Sequence, residues 1–309
     1  MTITRRAAKT GPRVKKRQFR VPSCMREFNW TAGALVLIIF SFPMIFMAVS
    51  SLKPSDQIFI DLRSFDAFLP VGDISFDNYV GVFQRVPVAQ FMFNSIFISV
   101  FVVGLGLVVN SLAGFAIART AFRGRGAVLT ILIATLIVPF ETIAIPMVYL
   151  VANLPWLDLQ AGSIGLQMGM FNTYAVQILP ITANAFSIFL FVQYFKSIPK
   201  ELDEAAIMDG AGWFTIYRRV ISPLAGPAFA TSAILTFLPA WNAYLWPIMV
   251  VQQEELRPVQ VGLQYFFQLD VAWGEIMAYA TLISLPVIIL FISFQRAFVA
   301  SIAASGVKG

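Results

Sequence analysis

Long runs without a charged residue make up most of the chain after residue 27. A helix needs about 20 residues to cross a bilayer, and a charge at mid-bilayer costs about 2.5–3.5 kcal/mol on insertion scales. The charge-free runs therefore predict six membrane-spanning helices, with bounds near 30–51, 92–117, 127–150, 176–195, 225–249 and 276–296. The predicted fold class is an all-α integral membrane protein, with a six-span domain over residues 28–298.

The composition agrees with a membrane location. Of the 309 residues, 58% are hydrophobic and 12% are charged, and the mean hydropathy is +0.77. A soluble domain is about 45–50% apolar and about 25% charged, so a soluble enzyme, a disordered linker and a disulfide scaffold are excluded. The first apolar run is too long for the core of a cleavable signal peptide, and no small-residue cleavage site follows it.

The basic residues are concentrated at the N-terminus. Nine of the 22 lysines and arginines lie in residues 1–26, which contain no acid, and the rest of the chain has 13 basic against 16 acidic residues. The net charge of +6 therefore belongs to a tail, residues 1–27, and predicts no nucleic-acid partner. Such a tail is typical of a cytoplasmic anchor that obeys the positive-inside rule, and it is compatible with contact to anionic lipid of the bilayer.

The loops between the predicted spans alternate in charge. Residues 53–90 contain five acids and three basic residues, whereas residues 119–125 contain three arginines and no acid. The loop 251–275 has one arginine against four acids. Because basic loops face the cytoplasm, both termini, including the tail 299–309, are predicted to be cytoplasmic.

The chain lacks the groups on which most enzymes depend. It has no histidine, and Cys24 is its only cysteine, so the usual general base, the commonest metal ligand and an intramolecular disulfide are all absent. No Gly-x-x-x-x-Gly-Lys-Ser/Thr phosphate-binding loop occurs. The sequence therefore predicts a non-enzyme without a catalytic residue, a metal site or a cofactor of its own.

One predicted cytoplasmic loop, residues 199–223, has a distinctive acidic start. Pro199 can open a helix, and the acids that follow, from Glu201 to Glu204, suit the positive end of the helix dipole. Asp209-Gly210 is a turn signal, and a second short helix begins near Trp213. Local physics leaves open whether this helix–turn–helix docks on a partner or lies at the membrane surface without one.

The run Glu204-Ala-Ala-Ile-Met-Asp-Gly-Ala-Gly-Trp213, closed by Ser222-Pro-Leu-Ala-Gly-Pro227, resembles the EAA loop of binding-protein-dependent ABC importer permeases. Phe76-Asp-Asn-Tyr79 and Gly114-Phe-Ala-Ile-Ala-Arg119 resemble motifs of the carbohydrate-uptake branch, and Gly306-Val-Lys-Gly309 resembles the end of the second permease subunit of maltose-type importers. The resemblance covers nearly all of the chain beyond the basic tail. It implies a type I ABC importer permease fold with a cytoplasmic coupling helix.

The resemblance also implies partners and a function. The chain would pair with a homologous permease subunit as a heterodimer, with two copies of an ATP-binding subunit that hold ATP and Mg, and with an extracytoplasmic solute-binding protein. It would pass a sugar or similar polar solute across the cytoplasmic (inner) membrane by alternating access. Lys308 in the tail is expected to contact the ATPase. The expected ATPase-coupling residues are Glu201, Glu204, Ala205, Ala206, Met208, Asp209, Gly210, Ala211 and Trp213.

Polar and aromatic residues within the predicted spans are candidates for the substrate passage. They are Glu141, Asn94, Asn184, Trp241, Asn242 and Tyr244. Glu141 lies between Pro139 and Pro146, where it can either cap a broken helix or line a pathway. The amides can join helices or line a polar passage, and the aromatic rings can stack on sugars or form an interfacial belt.

A stand-alone secondary transporter is the alternative function. Such carriers commonly have internal repeats and ion-coupling charges within the membrane, whereas this sequence shows no repeat and one intramembrane acid. A lone carrier would have no need of the loop 199–227. A phosphorylated solute would call for Arg or Lys in the passage. The interiors of the predicted spans contain neither, since Arg296 is the terminal residue of the last span, and this favours a neutral sugar.

Overall fold

A computed structural model describes residues 23–158, 165–267 and 271–306. The chain divides into two compact units, residues 1–46 and residues 47–309. The described residues of the first unit all belong to one helix. The second unit contains all the sites discussed below. Lys308 and most of the predicted basic tail lie outside the described residues.

Helices make up most of the described chain. In chain order they are α1 (Ser23–Ser50), α2 (Ser55–Asp61), α3 (Asp77–Arg85), α4 (Val88–Arg119), α5 (Arg125–Thr135), α6 (Phe140–Asn153), α7 (Tyr174–Thr182), α8 (Ala185–Ser197), α9 (Glu201–Met208), α10 (Trp213–Ile216), α11 (Ser222–Leu224), α12 (Gly226–Trp241), α13 (Leu245–Val250), α14 (Val259–Gly262) and α15 (Trp273–Gly306). Short 3₁₀ turns occupy Phe65–Phe68, Glu254–Leu256 and Leu263–Phe267, and a π-helical turn occupies Tyr217–Ile221.

The all-α prediction needs one correction. Residues Pro155–Asp158 (β1) and Gly165–Met168 (β2) form an antiparallel hairpin in which Pro155 lies opposite Met168. This segment lies between the third and fourth predicted spans, and its Pro and Gly residues disfavour helix. Pairing two short strands satisfies backbone groups that a loop would leave to solvent.

Among the described residues, three helices are each long and apolar enough to cross a membrane, namely α1 from Thr31, α4, and α15 as far as Ser293. Three further candidates are bent pairs: α5 with α6 at 106°, α7 with α8 at 42°, and Trp213–Leu224 with α12 at 83°. The structure therefore has three straight candidate spans, and up to six if each bent pair is one span. Three of the predicted spans are interrupted helices. The span 127–150 is broken before Phe140, where Pro139 had indicated a break, the span 176–195 is broken between Thr182 and Ala185, and the span 225–249 is broken after Trp241.

Helix α4 lies at the centre of the second unit, where it packs against α7, α8 and α12. Gly114 allows α8 to approach closely, because a Cβ atom at this position would lie 2.6 Å from Cβ of Phe191. At the end of α4 that carries Arg119, a buried cluster joins α4, α8 and the turns that follow α10. Its members include Phe115, Phe191, Phe195, Ile216 and Ile221.

Candidate functional site

The EAA-like segment forms a short helix with defined ends. Helix α9 has Glu201, Asp203 and Glu204 in its first turn, where carboxylates interact favourably with the free N–H groups. At its other end Gly210 adopts a left-handed conformation with φ +83°. The Gly210 N–H donates to Ile207 O and the Ala211 N–H to Ala206 O, both at 2.9 Å, which is a Schellman ending. The predicted stop at Asp209-Gly210 is confirmed.

A buried ion pair attaches α9 to α4. Arg119 Nη1 lies 3.0 Å from Asp203 Oδ2, and Arg119 Nη2 donates to Ile198 O at 2.8 Å. The two side chains are 2% and 9% exposed. Burial raises the pKa of the Asp203 carboxyl, and the charge of Arg119 opposes that rise. Sequence reasoning used Arg119 only to assign sidedness and missed this pair.

The outer side of α9 and α10 presents large apolar side chains to solvent. We call this the α9–α10 surface, and it consists of Leu202, Ile207, Met208, Trp213 and Phe214. Met208 is 87% exposed and Phe214 is 66% exposed. Of the other predicted coupling residues, Glu201, Glu204, Ala205, Asp209 and Gly210 are exposed beside it. Ala206 and Ala211 are half-buried against the core and hold the segment to the body of the protein.

A second contact joins this segment to α4. The hydroxyls of Tyr217 and Ser111 lie 2.7 Å apart, and the Tyr217 ring meets the Phe115 ring edge-on with centroids 5.4 Å apart. Tyr217 begins the π-helical turn Tyr217–Ile221, a distortion that occurs frequently at functional sites. The α9–α10 surface is thus tied to α4 at two separate points.

A cavity of about 510 Å³ lies in the second unit beside the α7–α8 break. It brings together three of the predicted passage residues, Asn184, Asn242 and Tyr244. The described residues that line it are uncharged: Val102, Phe140, Ile181, Asn184, Leu235, Thr236, Pro239, Ala240, Asn242, Ala243, Tyr244, Leu245 and Trp246. Trp246 ends the aromatic run Trp241–Trp246, whose rings the sequence offered for stacking on sugars, whereas Phe140 was missed because only the tertiary fold brings it to the cavity.

The structure places the remaining passage candidates elsewhere. Trp241 is 1% exposed and stacks on Phe237 with ring centroids 5.6 Å apart, so it belongs to the core. Glu141 is exposed in the first turn of α6, directly after the break at Pro139. This position agrees with the broken-helix interpretation of the two prolines.

Asn94 joins a helix to a loop. It is fully buried, and its Nδ2 donates to Glu255 O at 2.8 Å and to Arg257 O at 2.9 Å. Its Oδ1 accepts from the Tyr174 hydroxyl at 2.7 Å and from Gln90 Nε2 at 3.1 Å. These four bonds use the whole hydrogen-bonding capacity of the amide, which favours the helix-joining interpretation of Asn94.

Two glutamines reach the polar edge of the cavity. Gln260 Nε2 donates to Asn242 Oδ1 at 3.1 Å, and Gln264 Nε2 donates to the Tyr244 hydroxyl. Gln260 and Gln264 are four positions apart in a helical stretch, so their side chains share one face. Both glutamines lie in the segment 251–275, which the sequence analysis treated as a loop, although their spacing could have signalled a shared face.

The motif Phe76–Tyr79 fastens α3 to the segment that follows α1. Asn78 Nδ2 donates to Ser51 O at 2.9 Å and to Lys53 O at 2.8 Å, and the Tyr79 hydroxyl lies 2.8 Å from Ser51 Oγ. Lys53 is 1% exposed, and its Nζ bonds Asp61 Oδ2 at 2.7 Å. The hydrogen bond from Lys53 lowers the pKa of Asp61.

Comparison with known proteins identifies relatives over most of the chain. A family model described as binding-protein-dependent transport system inner membrane component matches residues 110–304. The arabinooligosaccharides transport system permease protein of Halalkalibacterium halodurans is 30% identical over 281 residues, covering 89% of this chain and 94% of that protein. The trehalose transport system permease protein of Mycobacterium tuberculosis is 31% identical over 272 residues, covering 86% and 92%.

Solved structures show the same fold. A chain of a bacterial ABC transporter that imports the acidic polysaccharide alginate superimposes with a TM-score of 0.70 at 23% identity, covering 89% of this chain and 96% of that one. The family assigns this chain to the membrane part of a transport system, so the prediction of a non-enzymatic subunit is confirmed and a stand-alone transporter is not favoured. The chain belongs to the binding-protein-dependent transport system inner membrane components, the permease subunits of ABC importers.

Proposed function

We propose that this chain passes an uncharged carbohydrate across the cytoplasmic (inner) membrane, as one half of a heterodimer with a homologous permease subunit. Two copies of an ATP-binding subunit, which carry ATP and Mg, would drive alternating access, and an extracytoplasmic solute-binding protein would deliver the sugar. The names of several relatives support a carbohydrate, since they specify arabinooligosaccharides, trehalose and lactose. Other relatives are named for sn-glycerol-3-phosphate and sulfoquinovosyl glycerol, which are anionic, so the absence of charge on the solute is inferred from the uncharged cavity lining.

The proposed topology has six spans with both termini in the cytoplasm. The three straight candidates, α1, α4 and α15, would each cross once, and each of the three bent pairs would supply one further span. The arginines between α4 and α5 support a cytoplasmic position for that loop, and the acids of residues 53–90 support an external one. The basic tail 1–27 and Lys308 would then lie on the side of the ATPases.

The α9–α10 surface is the observation that carries the proposed coupling role. Exposed apolar area costs about 25 cal/mol per Å² relative to burial, and a contiguous apolar patch on a protein surface usually marks an interaction site. Glu201, Glu204 and Asp209 border this surface and could pair with basic groups of an ATPase groove. The exposed Ala205 and Gly210 would let the two backbones approach closely.

The cavity supports an uncharged, hydroxylated solute. Asn184, Asn242 and Tyr244 offer hydrogen-bond donors and acceptors, while the rings of Tyr244 and Trp246 offer apolar faces. A few placed polar groups within a mainly apolar lining are typical of small-molecule sites, and about 300–1,000 Å³ is their usual size. The contributions of Glu141 and Trp241 to the passage stay predictions.

Crosslinking tests the coupling surface. In a Cys24→Ser background, Met208→Cys should crosslink to the ATPase subunit in the assembled complex, because Met208 is the most exposed residue of the α9–α10 surface. Ala206→Cys is the matched control, since Ala206 is half-buried against the core and should react far less. Equal trapping at both positions, or at neither position in a complex of confirmed composition, would contradict the proposed contact.

A transport assay tests the substrate class. The purified complex in liposomes should show ATP hydrolysis that is stimulated by its binding protein with a neutral oligosaccharide or disaccharide. Tyr244→Ala and Asn242→Ala should raise the half-saturating sugar concentration for transport, because both residues line the cavity. Uptake by this chain alone, without any ATPase, would instead establish the stand-alone transporter.

A further inference from the structure

The break between α7 and α8 leaves backbone groups that the helices cannot satisfy. Helix α7 ends at Thr182, α8 begins at Ala185, and the two axes are bent by 42°. A carbonyl at the end of one helix and an N–H at the start of the next have no partner within their own helices. A buried backbone group without a partner costs about 1–3 kcal/mol, so another element must supply partners here.

A single amide of α4 supplies both. Asn110 Nδ2 donates to Thr182 O at 3.1 Å, and Asn110 Oδ1 accepts from the Asn184 N–H at 3.0 Å. Asn110 is fully buried. These two bonds fix the break to α4. One of them holds the backbone of Asn184, whose side chain lines the cavity.

Two other features fit this attachment. Gly106 lies one turn before Asn110, and a Cβ atom at Gly106 would lie 3.3 Å from Thr182 O, so the glycine leaves room for the break. Pro180 has no N–H for the carbonyl of Val176, and Trp246 Nε1 donates to that carbonyl at 2.8 Å. Trp246 lines the same cavity.

Helix α4 connects this attachment to the α9–α10 surface. Ser111, adjacent to Asn110, contacts Tyr217, and Arg119 at the end of the same helix is paired with Asp203. Asn110, Ser111 and Arg119 all belong to α4, one uninterrupted helix of 32 residues. A displacement of the α9–α10 surface that moves α4 therefore also moves the α7–α8 break.

We infer that Asn110 is a positioning residue through which movement at the α9–α10 surface reaches the solute cavity. It acts by fixing the break, and with it Asn184, to α4. This inference rests on the proposed function for the identity of the solute and of the ATPase. It requires that weakening the Asn110 bonds lowers transport more than ATP hydrolysis.

The first test measures transport per ATP hydrolysed in liposomes containing the whole complex and its loaded binding protein. Asn110→Asp keeps the shape and one acceptor but loses the donor to Thr182 O. The amount of solute transported per ATP hydrolysed should fall about tenfold, because the loss of one buried hydrogen bond changes an equilibrium by about that factor. Ser99→Ala is the control, because it removes a buried α4 hydroxyl without a partner among the described residues. Transport and hydrolysis that fall together, or a normal ratio, would overturn the inference.

A second pair of variants covers a failure of Asn110→Asp to assemble. Gly106→Ala presses a methyl group on the same break while it retains every hydrogen-bonding group, and Gly104→Ala adds a methyl group on the same helix where nothing lies within 4 Å. The transport ratio should fall for Gly106→Ala and stay at the wild-type value for Gly104→Ala. Equal ratios for the two variants would contradict the positioning role.

A labelling measurement separates this inference from the proposed function. Ala183 is exposed at the break. The variant Ala183→Cys is made in a Cys24→Ser background, and the rate at which the new cysteine reacts with a maleimide is measured with and without ATP plus orthovanadate. ATP plus orthovanadate should change this labelling rate when Asn110 is present and should leave it unchanged in Asn110→Asp. That outcome would uphold the positioning role even if no carbohydrate is transported, whereas a response in both backgrounds would refute it.

Discussion

Arg119 and Asp203 form a buried ion pair that joins the last residue of α4 to the first turn of α9, with 3.0 Å between Nη1 and Oδ2. Arg119 Nε and Asp203 Oδ1 have no hydrogen-bond partner among the described residues. Desolvation of both charges is costly, and the attraction between them offsets that cost only while both are present. The position of α9 therefore depends on a pair that is sensitive to the loss of either member.

Removal of one member should release α9 from α4. Asp203→Ala leaves the Arg119 charge buried without compensation, a change that costs about 3–5 kcal/mol for a buried pair. Backbone amides of α9 should then exchange hydrogen with solvent faster, as measured by mass spectrometry of the complex without nucleotide. Glu204→Ala, which removes an exposed carboxylate from the same turn, should speed the exchange of α9 far less than Asp203→Ala does.

The double variant Arg119→Met with Asp203→Met tests whether the unpaired charge, rather than the lost carboxylate, releases α9. Replacement of a buried pair by apolar residues of similar volume is often neutral or stabilising. The double variant should therefore exchange more slowly than Asp203→Ala. If it exchanges as fast as the single variant, the charge pair is not what holds α9.

Gly210 should be required for its backbone conformation. Its φ of +83° is open to glycine and costs other residues about 1–2 kcal/mol, so Gly210→Ala should loosen the end of α9 and reduce binding-protein-stimulated ATP hydrolysis. Gly212 is the matched control, because it has φ −78° and open space around its Cβ position. Gly212→Ala should therefore keep α9 as protected from hydrogen exchange as the wild type, and equal loosening by both variants would contradict the argument.

The end of α9 was predictable because the signal is local. Asp209-Gly210 encodes the turn in adjacent residues, and the acids of the first turn mark where the helix begins. The bends were not predicted, because hydropathy measures the length of an apolar run and carries no information about the direction of the helix axis. Pro139 and Pro146 indicated a broken helix, yet the 106° between α5 and α6 depends on tertiary packing.

The candidate site was predictable in part for the same reason. The α9–α10 segment is contiguous in sequence, so one motif pointed to it and to two members of its exposed surface, Met208 and Trp213. The other members, Leu202, Ile207 and Phe214, were not among the predicted coupling residues. The cavity is assembled from separate elements, and nothing near Asn184 in the sequence specifies that it meets Tyr244 and Trp246. Trp241 resembled its aromatic neighbours in sequence, but its orientation towards Phe237 places it in the core.

The ion pair of Lys53 with Asp61 should give the complex a measurable acid sensitivity. Because Lys53 lowers the pKa of Asp61 below 3.8 in the folded protein, the pair stabilises the fold fully above that value. Its contribution is lost as the pH falls through the folded pKa. The melting temperature should therefore drop as the pH is lowered from about 4 to about 2, as measured by differential scanning fluorimetry.

Other carboxylates also titrate in this range, so variants must isolate the contribution of Asp61. Asp61→Asn should be less stable than the wild type at the upper end of the range, and it should lose less stability on acidification. Asp56→Asn alters an exposed carboxylate of the same helix and should follow the wild-type profile. An Asp61→Asn profile parallel to that of the wild type would contradict a role for the pair.

Asn94 should affect stability rather than sugar affinity. Asn94→Leu removes the donors to Glu255 O and Arg257 O, and a buried group left without its partner costs about 1–3 kcal/mol. The melting temperature of the complex should fall, while the half-saturating sugar concentration for transport stays near that of the wild type. Asn153→Ala removes an exposed amide with one local bond and should change stability by less than about 0.5 kcal/mol.

Tyr244→Ala should show the opposite pattern of effects on the melting temperature of the complex and on the half-saturating sugar concentration for transport. Tyr244 is 41% exposed and lines the cavity, so its removal should weaken sugar binding with little loss of stability. If Asn94→Leu instead raises the half-saturating sugar concentration as much as Tyr244→Ala does, Asn94 contributes to the passage. One or more of its four hydrogen bonds would then have to be broken during transport, because a fully bonded amide has no capacity left for a solute.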